Sequence, residues 1–170
     1  ITVDNDSDDN NLEVEQKGEN NKSDVDVTNF SDGNWVEVET KGDDNDSEVN
    51  IDDSDDNWVE VKQESDGNES DVDILDGSDD NVVQVSQQDD GGHDSDVDIV
   101  YGSDDNDVTV RQFGEDQDSE VEISYNSDDN VVFVKQEDED NTSYVEISYG
   151  SSENDVNVDQ RANGDQESSV

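Results

Sequence analysis

Ser23, Ser47, Ser70, Ser95, Ser119, Ser143 and Ser168 recur in steps of 24, 23, 25, 24, 24 and 25 residues. A period of this length means one small unit stacked on itself, since no single unit is large enough to bury a core alone. A second series, Asn10, Asn34, Asn57, Asn81, Asn106, Asn130 and Asn154, keeps nearly the same spacing. Each of the first six Ser residues opens an alternating segment, such as Ser70-Asp-Val-Asp-Ile74. Each Asn opens another, such as Asn130-Val-Val-Phe-Val134. Alternation with period two is the signature of a strand with one face inward.

Two kinds of polar turn join these strands. The short one is typified by Gly77-Ser-Asp-Asp80, the long one by Glu64-Ser-Asp-Gly-Asn-Glu69. Length varies almost wholly in the turns, so the strands keep register. Sorting the strand faces puts Ser95, Val97, Ile99 and Tyr101 together on one side, with Asp96, Asp98 and Val100 on the other. In every unit the inner positions are aliphatic. They run Val25/Val27, Val49/Ile51, Val72/Ile74, Val97/Ile99, Val121/Ile123 and Val145/Ile147 in the first strand. The second strand gives Leu12/Val14, Val36/Val38, Val59/Val61, Val83/Val85, Val108/Val110, Val132/Val134 and Val156/Val158. The expected fold is all-β: a β-solenoid of about seven strand-turn-strand-turn rungs, with two facing parallel in-register sheets stacked as in amyloid. Residues 1–170 form a single array. Ile1 and Val170 fall at equivalent phases of the repeat, so the sequence reads as a window of a longer repeat protein.

Columns of like residues then follow from the register. Ser70, Ser95, Ser119 and Ser143 form one; Asn81, Asn106, Asn130 and Asn154 a second; Gln87, Gln112, Gln136 and Gln160 a third. Stacked amides at such positions bond along the axis.

Composition taken alone points the other way. Only 25% of the chain is hydrophobic, and 54 acidic residues face 7 basic ones for a net charge of -47. That balance ordinarily marks disorder, but the repeat carries order that composition does not register. The charge repels nucleic acid and anionic membranes and favours cations or basic partners. No Cys is present, and no apolar run reaches the length of a membrane span.

The repeat resembles that of the bacterial curlins, whose units follow Ser-x5-Gln-x-Gly-x-x-Asn-x-Ala-x3-Gln. Here the frame reads Ser95, Tyr101-Gly-Ser-Asp-Asp-Asn106, Val108 and Gln112. Ser, Asn and Gln match again at Ser70/Asn81/Gln87, Ser119/Asn130/Gln136 and Ser143/Asn154/Gln160. The family's first Gln is replaced by Tyr101, Tyr125, Tyr149, Asp53, Asp76 or Asn29, and its Ala by Val. The resemblance implies a secreted, extracellular subunit that self-assembles into homopolymeric functional-amyloid filaments for biofilm matrix or cell adhesion. The alternative is a calcium-stabilised β-solenoid stalk of a surface adhesin.

The outer face of the first strand is an acid ladder: Asp24/Asp26, Glu48, Asp71/Asp73, Asp96/Asp98 and Glu120/Glu122. Like charges one rung apart repel by about 0.9 kcal/mol in water before screening. Either salt screens them, or divalent cations such as calcium bridge the short-turn pairs Asp79/Asp80, Asp104/Asp105 and Asp128/Asp129. The second strand's outer face carries Trp35, Trp58, Val82, Val131 and Phe133, candidates for lateral contact between fibres. Nothing points to catalysis: His93 is the sole histidine and falls in a long turn, where it reads as solvated loop. Asp4–Asp8 opens like an EF-hand loop but lacks its Gly and runs into a strand.

Overall fold

The computed structural model describes residues 1–3, 7–139, 141–148, 150–161 and 166–169. Tyr149, Val170 and most of the Asp4–Asp8 segment lie outside the described residues. Seven parallel strands form the larger sheet: Asn11–Lys17, Trp35–Lys41, Trp58–Gln63, Val82–Gly91, Asp107–Glu115, Val131–Glu139 and Asp155–Arg161. Their order in the sheet is their order in the chain, because each rung lies directly on the one before. The pairing aligns Leu12 with Val36, Val36 with Val59, Val59 with Val83, Val83 with Val108, Val108 with Val132 and Val132 with Val156. The expected β-solenoid of about seven turns is therefore the fold.

The facing sheet is less regular. Thr2–Val3, Lys22–Thr28, Asp46–Asp52 and Glu69–Ser70 pair in parallel. Beyond them, among the described residues, strand pairing survives in two short pieces, Val100–Tyr101 with Ser124–Tyr125 and Asn141–Tyr144 with Gln166–Ser169, and in an isolated bridge between Glu120 and Tyr144. Between the sheets lies one continuous aliphatic core. It contains the inner Val and Ile residues assigned from the alternation, with Leu12, Val14, Ile147 and Val156 only partly covered. β-branched side chains suit such a surface, since their restricted χ1 packs well against the same residue one rung away.

One face assignment is corrected. Tyr101 does not follow Val97 and Ile99 inward; it is 39% exposed and stacks on Tyr125, with ring centroids 5.0 Å apart. The alternation fails because Asp98, Ile99 and Val100 have φ of 21°, 71° and 95°, which rotates the chain before Tyr101. A period-two count assumes extended backbone at every step.

Candidate functional site

What this fold offers is a set of polar columns running along its axis, four of them buried and bonded from rung to rung. The Asn column sits where each short turn enters the larger sheet. Asn106 donates its backbone N–H and its Nδ2 to Asn81 Oδ1, at 2.9 and 3.0 Å. Asn130 does the same to Asn106 at 3.0 and 2.9 Å, and Asn154 to Asn130 at 3.1 and 2.9 Å. The Gln column closes the far end of that sheet. Gln87 Nε2 donates to Gln112 Oε1 at 3.0 Å, Gln112 to Gln136 and Gln136 to Gln160 at 3.1 Å. The same Nε2 groups also donate across the core to the carbonyls of Glu69, Asp94, Asp118 and Thr142. Each Gln thus ties its rung both to its neighbour and to the opposite sheet.

Ser70, Ser95, Ser119 and Ser143 are stacked and buried as expected, but their hydroxyls meet no protein partner. The bonded Ser column lies instead in the short turns. Ser78 N–H donates to Ser54 Oγ, Ser103 to Ser78, Ser127 to Ser103 and Ser151 to Ser127, over 3.0 to 3.3 Å. The first Asp of each short turn runs in the opposite sense. Asp79 Oδ1 accepts from Asp55 N–H at 2.7 Å, Asp104 from Asp79 at 2.9 Å and Asp128 from Asp104 at 3.2 Å. One carboxylate of each suggested cation pair is thereby engaged by backbone. Its partners Asp80, Asp105 and Asp129 are exposed, with φ of 57°, 56° and 56°. Asp tolerates that left-handed geometry, and Gly33 takes the matching place in another turn with φ of 70°. Turn geometry thus accounts for an Asp at these positions without any ion. Among the described residues, no group of three or more His, Asp or Glu is placed to hold a metal.

A fourth column escaped the sequence reading. Asn21, Asn45, Asn68, His93, Gln117 and Asn141 succeed one another through the long turns. Asn45 and Asn68 N–H each donate to the Oδ1 one rung back, at 2.9 Å. His93 continues the column at 3.4 Å from Asn68 Oδ1, and its Nε2 lies 3.2 Å from the Gln88 carbonyl. It is 1% exposed, not solvated as its turn position suggested. A planar imidazole replaces a planar amide there. The signal was available, because these six residues keep the steps of the Ser series.

On the outer face of the larger sheet, Trp35 and Trp58 stack with centroids 5.2 Å apart at 25°. Val131, three rungs beyond Trp58 in the same column, is exposed. Arg111 lies 5.8 Å from the Phe133 ring and Lys135 5.7 Å from that of Phe113. Most of the chain's few cations sit on this face, and all of these but Arg111 lie beside a carboxylate two residues away in the same strand, as Lys41 is beside Glu39 and Lys135 beside Glu137.

Comparison of the chain with protein-family models, curated proteins and solved structures finds no match.

Proposed function

We propose that this chain is a structural subunit that polymerises end to end into an extracellular, amyloid-type filament. The observation that carries this reading is the equivalence of the rungs. The Asn and short-turn Ser columns repeat one backbone N–H bond from rung to rung, and the Gln column repeats its amide bond from Gln63 to Gln160, so the edge of one rung complements the edge of another. A second copy joined in parallel would extend the columns and the aliphatic core without any new kind of contact. The curlin-like spacing of Ser, Asn and Gln agrees with this role in matrix or adhesion. Such a stack gains from each addition, because backbone N–H groups and the amides of the Asn and Gln columns bond to the adjacent rung.

Concentrated protein in salt high enough to screen its charge is expected to form unbranched filaments. Their fibre diffraction should have a meridional repeat of about 4.8 Å. A chain that stays monomeric through size-exclusion chromatography and electron microscopy at every ionic strength would refute polymerisation. Monomers whose melting temperature rises with added calcium and falls on chelation would favour the stalk of an adhesin instead.

A further inference from the structure

The outer face of the smaller sheet changes character along the axis. In its early rungs the facing columns are mixed. Lys22 meets Asp46 at 3.2 Å, Asp26 lies opposite Asn50, and strand pairing runs through all seven residues from Lys22 to Thr28. From Glu69 to Glu122 the columns are acidic, before Thr142 and Tyr144 interrupt two of them. Glu69, Asp94 and Asp118 start the segments, Asp71, Asp96 and Glu120 follow, and then come Asp73, Asp98, Glu122 and Glu146. Backbone bonds from Asp71 N–H to Ser95 O and from Asp96 N–H to Ser119 O keep these residues in register.

Regular strand pairing is lost on the same stretch, although Ile74 N–H still donates to the Asp98 carbonyl at 2.7 Å and Ser124 N–H to that of Ile99 at 2.9 Å. It stops at Ser70 and resumes as a strand at Val100. The backbone between is left-handed at Ile74, with φ of 70°, and at Asp98 and Ile99; Val100 and Ser124 follow at 95° and 91°. β-branched residues resist that conformation, so something must hold the strand out of its extended form. The aliphatic residues there, Val72, Ile74, Val97 and Ile99, are as buried as those of the regular rungs, so the core is not the cause. What differs is that acid fills all three outer positions of a rung; in the regular rungs Asp24 also faces Glu48, but Lys22 and Asn50 interrupt the charge.

We propose that this acid face is a proton-controlled seam: proton uptake on Asp73 and Asp98 lets the backbone extend into continuous strand pairing, and ionisation keeps it bent. Burial is the first cause pushing the Asp98 carboxyl up to about 7. Asp96, which shares a hydrogen bond with it, and the charges of Asp73 and Glu122 add to the effect. Burial likewise raises Asp73 to about 6, with Asp71, Asp96 and Glu48 adding to it. Asp71, Asp94 and Glu120 are shifted upward for the same reasons. Inward of these groups lie the aliphatic core and the buried hydroxyls of Ser70, Ser95 and Ser119, and the buried imidazole of His93 sits in the long turn that leads into Asp94. Lys22, on the same sheet, is tied to Asp46.

The direction follows from linkage. Carboxyls whose affinity for protons is higher in the folded chain than in the unfolded one stabilise it as pH falls through about 7 and 6. Above that window the repulsion is fully present. Ordinary carboxylates titrate lower, near 4, so pH 5 protonates the seam while leaving most of the surface charged.

The test is amide hydrogen exchange over residues 96–100 of the single chain, corrected for intrinsic rate, so it stands apart from polymerisation. Protection is expected to rise about tenfold from pH 8 to pH 5, with the melting temperature up by about 4 °C. The double variant Asp73→Asn/Asp98→Asn should be protected already at pH 8 and lose the pH dependence. Asp24→Asn/Asp26→Asn, in the regular rungs, should keep it. Equal protection at both pH values, or a pH response that persists in the Asp73→Asn/Asp98→Asn chain, would overturn the proposal.

Discussion

Asn106→Ala is expected to lower stability by about 3 kcal/mol, although it removes only three heavy atoms. Asn106 is 1% exposed and stands in mid-column. Its Oδ1 accepts both the backbone N–H and the Nδ2 of Asn130, and its own Nδ2 donates to Asn81. Alanine deletes the acceptor, leaving the Asn130 N–H buried with no partner, and an orphaned buried donor costs about 1–3 kcal/mol. The lost Asn106–Asn81 amide bond and the weakened hold on Asn130 Nδ2 supply the rest. Asn130 Nδ2 keeps its second bond, to the Ser151 carbonyl, which limits the damage. Asn20→Ala is the control. Asn20 also donates its Nδ2 to the neighbouring rung, at Asp44 Oδ1, but the bond is exposed to water. Its loss should stay within about 0.5 kcal/mol. Thermal unfolding followed by circular dichroism separates the two, with the Asn106 variant melting roughly 6–12 °C lower. Equal shifts for both would mean that burial does not give the amide column its strength.

How much of this was legible in the sequence depends on what each residue needed. The core was legible because Val and Ile recur at every second position of each strand, and a parallel in-register stack places like residue on like. Asn106 and Gln112 were legible because their spacing repeats and an amide has both a donor and an acceptor to pass along a column. Ser78, Ser103 and Ser127 were less so, since a Ser in an Asp-rich turn reads as a turn former until the next rung's N–H is seen donating to it. His93 was misread for a related reason: an imidazole in a polar turn looks solvated unless its place is compared with Asn68 and Gln117. Tyr101 was misplaced because alternation cannot reveal a left-handed residue two steps earlier. The break itself has a cause in the sequence, the run of Asp and Glu on the outer face. Its consequence for backbone shape appears only when the rungs are set side by side.

The same comparison of rungs governs the glycines, and Gly42→Ala is expected to cost about 4 kcal/mol where Gly67→Ala costs about 1. Both residues have positive φ, 103° for Gly42 and 68° for Gly67. For Gly67 the geometry is ordinary left-handed backbone with nothing within 4 Å of an added Cβ, so the strain of the conformation is the whole penalty. Gly42 differs twice. Its φ lies where side chains are rarely found. A Cβ there would also sit 2.6 Å from the Ser65 carbonyl oxygen and 2.6 Å from Asp66 Oδ1 in the next rung. Neither neighbour yields freely, because Ser65 contributes backbone and Asp66 Oδ1 accepts the Asp43 N–H at 2.8 Å. Moving Gly42 instead would pull its N–H from the Lys17 carbonyl and its own carbonyl from Asn21 Nδ2, bonds of 3.0 and 2.7 Å. In a solenoid this close approach of backbone to backbone is set by the rung spacing, so a turn cannot swell without parting the rungs. Urea unfolding of the two variants tests the argument. A Gly42→Ala chain as stable as Gly67→Ala would show that the long turns flex independently of the stack.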